Sequence, residues 1–383
     1  PSRGLGDVYK RQVTNALAVI QSYSPWRPSA GVTESGLTIK DLENSDLTYE
    51  KKHELNIGAD LGFLDNRINL TVDWYKRDNF DLIGRVMTQG IGGQIQKYGN
   101  VATMKSRGIE FSLSTKNIKT KDFSWTTDFI YSHMKNEVTK FNTSTRAFNL
   151  VSGIGFSREG YPVNSLFSYD FRGLNEDGVP TFINEAGVLT STDINFQETE
   201  RFDNLVYSGP SEPTDVGSFG NIFQYKGLRL NVFITYSFGN VVRLDPVFSS
   251  IYNDLDAMPR EFRNRWMTPG DERYTDVPAI VSSRQVRNDS KLSYAYNAYN
   301  YSTARIAKGD FIRMKEISLT YDFPKRWIKK LRMSNLALKI QATNLFLIYA
   351  DKKLNGQDPE FFNSGGVATP VPKQFTLTLK IGL

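Results

Sequence analysis

Runs of roughly ten residues in which apolar and polar side chains alternate constrain this chain more than any other feature. In the segment KHELNIGADLGF, Leu55, Ile57, Ala59, Leu61 and Phe63 alternate with Glu54, Asn56, Gly58, Asp60 and Gly62. A turn-like Leu64, Asp65 and Asn66 follows. Ile68, Leu70, Val72 and Trp74 then resume the alternation against Arg67, Asn69, Thr71 and Asp73. Period two is the mark of a strand with one apolar face, and two such runs across a tight polar turn predict an antiparallel hairpin.

The pattern recurs along the chain. One face carries Ile109, Phe111 and Leu113, and the next run carries Phe123, Trp125, Phe129 and Tyr131. Further runs place Leu228, Leu230, Val232, Ile234, Tyr236 and Phe238 on one face, then Ile317, Leu319, Tyr321 and Phe323, then Leu336, Leu338 and Ile340. The last run alternates Phe375, Leu377, Leu379, Ile381 and Leu383 with Gln374, Thr376, Thr378, Lys380 and Gly382. With weaker runs near Tyr169 and over 217–225, the spacing predicts about ten strands. Their length of about ten residues is what a tilted strand needs to cross a bilayer, whereas soluble strands average about five or six.

The joins alternate in length. Those at 64–66, 116–122, 226–227 and 324–334 read as short, and those at 78–105, 135–168, 239–310 and 347–373 as long. Short turns at one end and long loops at the other fit an up-and-down barrel in an outer membrane. The chain has 25 Phe, 19 Tyr and 5 Trp, yet its mean hydropathy is −0.41. Strands with one face to lipid, one to a wet lumen and aromatic girdles at both interfaces give that pairing. Trp74, Tyr75, Phe129, Tyr131, Tyr236, Phe238, Tyr321, Phe323, Phe346 and Tyr349, near strand ends, are the expected girdle. No stretch approaches the ~18 consecutive apolar residues of a membrane helix. The expected fold is therefore all-β: an antiparallel up-and-down transmembrane β-barrel, incomplete in this chain.

Other function classes find little support. With no cysteine there is no disulfide scaffold, thiolate metal site or cysteine nucleophile. The two histidines, His53 and His133, lie 80 positions apart and read as surface or lumen residues. The balance of 47 basic against 41 acidic residues is interspersed, with no block suited to nucleic acid. No G-x-S-x-G elbow occurs, and the GIGG at 90–93 is no dinucleotide fingerprint. No signature selects an acid/base pair among the carboxylates, so no enzyme is expected. Asp271, Glu272 and Asp276 match no calcium loop, and they read, like Glu176, Asp177 and Gly178, as solvated turns. No cofactor is expected. Tyr294, Tyr296, Tyr299 and Tyr301 read as a loop over the lumen. Their rings suit stacking on a ligand, contact with a lid protein, or plain packing, and Trp266 is grouped with them.

Several segments, in one order, resemble the SusC/RagA family of TonB-linked outer-membrane transporters. They are DLTYEKKHELNIGADLGFLDNRINLTVDWYKRDNFDLI (46–83), YGNVATMKSRGIEFSLSTKNIKTKDFSWTTDFIYSHMKNEV (98–138), GYPVNSLFSYDFRGLNEDGVPTF (160–182), RWMTPGDERYTDVPAI (265–280), FIRMKEISLTYDFPKRW (311–327) and NLALKIQATNLF (335–346). The resemblance implies import of oligosaccharides or peptides across the outer membrane of a Gram-negative cell. It also implies a SusD-like surface lipoprotein over the barrel and energy from TonB–ExbB–ExbD through an N-terminal part. The family's barrels are of the plugged class with about 22 strands, so this chain reads as the C-terminal part, over 13–383, after a non-native leader at 1–12. The run Phe375, Leu377, Leu379, Ile381 and Leu383 is then the C-terminal strand that serves barrel assembly, although the family usually ends in an aromatic residue and this chain ends in Leu383. The competing reading, a soluble β-rich carbohydrate-binding or adhesive module, requires a polar outward face.

Overall fold

The computed structural model describes residues 19–23, 36–90, 95–143, 145–153, 157–247, 260–330, 333–362 and 372–382. Residues 1–12 and Leu383, named above, lie outside these. Nine long strands form one sheet: β1 (Lys51–Phe63), β2 (Ile68–Met87), β3 (Gln96–Lys119), β4 (Phe123–Phe141), β5 (Asp215–Tyr225), β6 (Leu228–Phe238), β7 (Phe311–Asp322), β8 (Asn335–Ala350) and β9 (Gln374–Gly382). Each pairs antiparallel with the next in chain order, an up-and-down meander. The outer edges of β1 and β9 carry no partner strand among the described residues.

The tight ends are local chemistry. Leu64, Asp65 and Asn66 all take left-handed backbone (φ 54°, 56°, 58°), which reverses the chain between β1 and β2. Lys226, at φ 51°, does the same beside Gly227. Asp and Asn tolerate this conformation well; Leu and Lys do so only where a turn is held by its strands.

Register separates the two faces. Leu61, Leu70, Leu113, Phe129, Phe219, Ile234, Met314 and Phe346 lie in a single row across eight strands. One residue along, the row reads Asp60, Thr71, Ser112, Ile130, Ser218, Thr235 and Arg313. The hydroxyl of Thr71 donates to Asp60 Oδ1 at 2.7 Å, as two side chains of one face should. No second sheet covers the apolar rows among the described residues, and Phe219, Phe346 and Phe375 stay 41%, 52% and 73% exposed. An uncovered apolar face this wide belongs in hydrocarbon, not water. The soluble-module reading fails here, because its outward face had to be polar.

Tyr and Trp rings gather at two levels of that face, while Phe129, Phe219 and Phe346 lie between them and Tyr75 turns to the polar face, so Phe129, Phe346 and Tyr75 are not the girdle residues expected. Phe123, Trp125, Tyr225, Tyr321 and Phe323 line the short-turn end, with Trp125 stacked on Phe223 at 5.7 Å. Trp74, Tyr131, Tyr236 and Phe238 line the other. The ten steps from Phe123 to His133, which shares a row with Trp74, make about 34 Å of strand, or about 24 Å of height at ~45° tilt. That matches an apolar band of about 25 Å.

Three expectations are corrected. The strand near Tyr169 is not in the barrel sheet: Ser165–Tyr169, itself largely buried, pairs with Leu205–Pro210 as a separate ribbon. The join at 78–105 is mostly strand, because β2 and β3 continue their ladder to Met87 and Gln96. Register shifts between Asn79 and Ile83, with Asp81 at φ 55°, slip the alternation there and hide the strand from a period-two reading. The strands β2, β3, β4 and β8 also exceed the expected length, reaching 20, 24, 19 and 16 residues, so they project beyond the bilayer.

Candidate functional site

The segments after β4 and after β6 do not hang as open loops. They fold together into a cap at the long-loop end. Leu150 and Val151 of helix α1 (Ala147–Ser152) pack with Phe167, Tyr169, Phe182, Phe196, Leu205, Val247 and Phe262 in one buried cluster. A second helix, α2 (Ser283–Asn288), opens on a capping box in which Ser282 Oγ accepts from Gln285 N, and Gln285 Oε1 accepts from Ser282 N. Helix α3 (Leu292–Asn300) then runs through the cap, with Ala295 and Ala298 fully buried.

The tyrosine stretch expected as a loop is therefore a helix. Tyr296 and Tyr299 are each 2% exposed, and their hydroxyls donate to the carbonyl oxygens of Ala279 and Asp276, both at 2.8 Å. Burial pushes the Tyr299 phenol up to about 12. Tyr301 packs edge-on against Phe148 at 5.6 Å, with the Arg243 guanidinium 5.4 Å from its ring. Only Tyr294 presents substantial surface, with its ring 5.9 Å from that of Phe196. Trp266 donates from Nε1 to Glu272 Oε2 at 3.2 Å and lies flat over Gly178. The five residues belong to one cap, but four of them face inward to it.

The carboxylates of the 265–280 segment hold backbone. Asp271 Oδ2 accepts from the amides of Met267 and Thr268 at 2.9 and 3.0 Å, which holds its carboxyl below the usual range. Glu272 is lowered likewise, by backbone amides including that of Gly270 and then by Trp266. The described residues contain no cluster of three or more His, Cys, Asp or Glu suited to a metal.

Below the cap, the polar face carries its own charges. Gly58, Asp73, Glu110 and Ser132 share one row, and Asn69, Ser114, Asp128 and Gly220 another, into which Glu316 falls through Phe233. Glu316 accepts from Asn231 Nδ2 at 3.2 Å and Gln341 Nε2 at 3.0 Å. Arg313, only 4% exposed at its side chain, pairs with Asp358 of the β8–β9 connection. Within the cap, Arg305 pairs with Glu261. Arg243 donates from Nη2 to Phe167 O at 2.7 Å, and burial draws its guanidinium down to about 10. Reading the sequence for alternation does not find these three arginines as a group, since each partner lies far away in the chain.

The sequence signature of the family described as "TonB dependent receptor-like, beta-barrel" matches residues 8–345. The chain belongs to that family. Among curated relatives, the TonB-dependent receptor SusC of Bacteroides thetaiotaomicron is 27% identical over 357 residues, covering 89% of this chain and 32% of SusC. The TonB-dependent receptor P3 of Formosa agariphila is 26% identical over 344 residues, 85% of this chain and 32% of the relative. The chain thus spans about a third of the length of these relatives. Of solved structures, a chain of the RagAB peptide transporter superposes with a TM-score of 0.73 at 24% identity, over 96% of this chain and 39% of that one. This likeness is one of fold. Within this β-barrel family, the apolar rows are the lipid face and the polar rows are the lumen wall.

Proposed function

We propose that this TonB-dependent receptor chain forms wall and cap of an outer-membrane importer for oligosaccharides or peptides. The observation that carries the reading is a lumen wall of Ser, Thr, Asn and carboxylate rows beneath a packed cap. Such a wall offers many exchangeable hydrogen bonds and no deep apolar slot, which suits polar oligomers that must bind and then leave. Asp60, Asp73, Glu110, Asp128 and Glu316 accept equally from sugar hydroxyls and from peptide amides. The RagAB peptide transporter, whose fold this chain shares, is in keeping with peptide cargo. No covalent step is included.

The partners follow from the same reading. A SusD-like surface lipoprotein closes the capped end, where Met267, Tyr274, Ile280 and Tyr294 leave apolar surface in the open. TonB–ExbB–ExbD supplies energy through parts of the protein outside this chain. Tyr294 contributes to the lid or ligand contact from the cap, with Tyr296 and Tyr299 holding its helix and Tyr301 and Trp266 packing the cap around it. β9, with Phe375, Leu377, Leu379 and Ile381 on its lipid face, is the strand read in barrel assembly.

The test is uptake by the host cell. Deleting the gene abolishes accumulation of one class of labelled oligosaccharide or peptide, and a protonophore has the same effect on the wild type. The protein is recovered in the outer-membrane fraction together with a lipoprotein. Unchanged uptake of both cargo classes, with the protein present in wild-type outer membranes, overturns the import reading.

A further inference from the structure

We propose that the lipid-facing side of the β2–β4 ribbon carries a binding site for the phosphate groups of a membrane glycolipid, seated just above the apolar band; this rests on the outer-membrane reading above. Lys76 on β2, Arg107 on β3 and Lys135 on β4 stand in one register row. The row two residues below is Trp74, Ile109 and His133, so alternation puts the cations on the lipid face, beyond its loop-side girdle. Two steps are about 7 Å of strand, which at ~45° tilt lifts the row about 5 Å, into the headgroup layer.

All three side chains are exposed. Arg107 and Lys135 have no ion pair or side-chain hydrogen bond among the described residues, and Lys76 has only a 4.0 Å contact with Asp78. Like charges directly opposite on neighbouring strands repel. With strands about 4.8 Å apart, the three span only about 10 Å, and a bridging anion relieves that repulsion.

The neighbours leave the surplus in place. The next row outward alternates His53, Asp78, Lys105 and Glu137. Across the two rows, four cations (Lys76, Lys105, Arg107, Lys135) face two carboxylates. Asp215 is occupied by Tyr131, His133 and Thr214, and Glu212, which shares a small hollow with Lys135, accepts from Asn164. Two ammonium groups flanking a guanidinium fork suit phosphate oxygens. The girdle immediately below supplies the contact for acyl chains, and this favours a lipid headgroup over a free anion.

The experiment uses the longest natural form of the protein made by its host, purified from outer membranes in neutral detergent. Binding is measured to micelles doped with diphosphorylated lipid A, to micelles doped with its dephosphorylated counterpart, and to inorganic phosphate alone. Heat-modifiable migration on gels checks that each variant is folded. The variant Lys76→Gln/Arg107→Gln/Lys135→Gln weakens binding of the phosphorylated lipid about a hundredfold, about fivefold for each cation. Lys76→Arg/Lys135→Arg keeps it. Equal binding by the triple variant overturns the site, and displacement of the lipid by millimolar inorganic phosphate overturns the lipid as its ligand. Retention in dephosphorylated micelles is expected of wild type and triple variant alike; its loss in both would count against the membrane reading instead.

Discussion

The guanidinium of Arg313, on the lumen face of β7, is ion-paired with the carboxylate of Asp358, 45 residues later in the β8–β9 connection. Both side chains are nearly inaccessible, 4% and 5% exposed. Glu360 Oε2 lies 3.1 Å from Arg313 Nε, off line for a hydrogen bond, and Asp358 Oδ1 also accepts from Glu360 N at 3.1 Å. The pair pins a connection of the long-loop end to the lumen wall. Removing one partner strands a buried charge, at a cost of about 3–5 kcal/mol. Asp358→Asn is expected to lower thermal stability in detergent and to raise amide exchange over 352–362, while the ladder between β7 and β8 stays protected. Replacing both, as Arg313→Met/Asp358→Leu, should restore much of the stability. Unchanged exchange in Asp358→Asn would show that the pair does not hold the connection.

Tyr299 gives the cap an alkaline limit. Its phenol is raised from 10.0 to about 12 by burial. Below about pH 10 it is neutral in folded and unfolded chains alike, and its contribution is complete. Between about pH 10 and 12 the unfolded chain ionises first, so stability falls with rising pH by about 2–3 kcal/mol in total. Tyr299→Phe loses the bond to Asp276 O, about 1 kcal/mol at neutral pH, but has no such decline. The order of stability of the two proteins therefore reverses above about pH 11. Thermal melts at pH 8 and pH 11.5 decide this; wild type remaining the more stable at both would rule it out.

The strands were legible because a lipid face enforces alternation over a full membrane crossing, as from Leu228 to Phe238. Legibility ends where that constraint ends. Above the girdle, β2 passes through its irregularity near Asp81 with both faces half-buried, and no hydrophobic period marks it. Helix α3 was hidden by Tyr294, Tyr296, Tyr299 and Tyr301, which look half-alternating; Leu292, Ala295, Tyr296 and Tyr299, at helical spacing, carry the signal that reveals it. The family segment 265–280 was legible as a turn-rich unit, while the seat of Trp266 on Gly178 was not. Nor was the Arg313–Asp358 pair, since no local rule joins residues 45 apart.

Gly178 is the residue on which Trp266 depends. Its φ is +71°, and an added Cβ would stand 2.5 Å from the indole. Gly178→Ala meets both a backbone penalty of about 1 kcal/mol and overpacking of about 1–3 kcal/mol. Gly160, at φ +82° with nothing within 4 Å of an added Cβ, meets only the first. Gly178→Ala is thus expected to melt lower than Gly160→Ala and to change tryptophan emission, which Gly160→Ala leaves alone. Equal effects on melting and emission would mean that the indole is not seated there.

The two faces of β3 separate a membrane strand from a soluble one at adjacent residues. Leu113 lies in the apolar row with Leu70 and Phe129; Ser112 lies in the polar row with Thr71. On a water-soluble sheet, arginine at either solvent-facing position would be nearly neutral. In a bilayer, Leu113→Arg puts a cation into hydrocarbon near the midplane, at about 2–4 kcal/mol, whereas Ser112→Arg points into the wet lumen. The difference is read as the yield of protease-protected protein after insertion into phosphatidylcholine vesicles, and as the denaturant needed to release it. Ser112→Arg should insert like wild type, and Leu113→Arg should insert poorly or come out at lower denaturant. Equal tolerance at Leu113 and Ser112 would mean that both faces meet water, and the lipid-facing assignment of the apolar rows would fall with it.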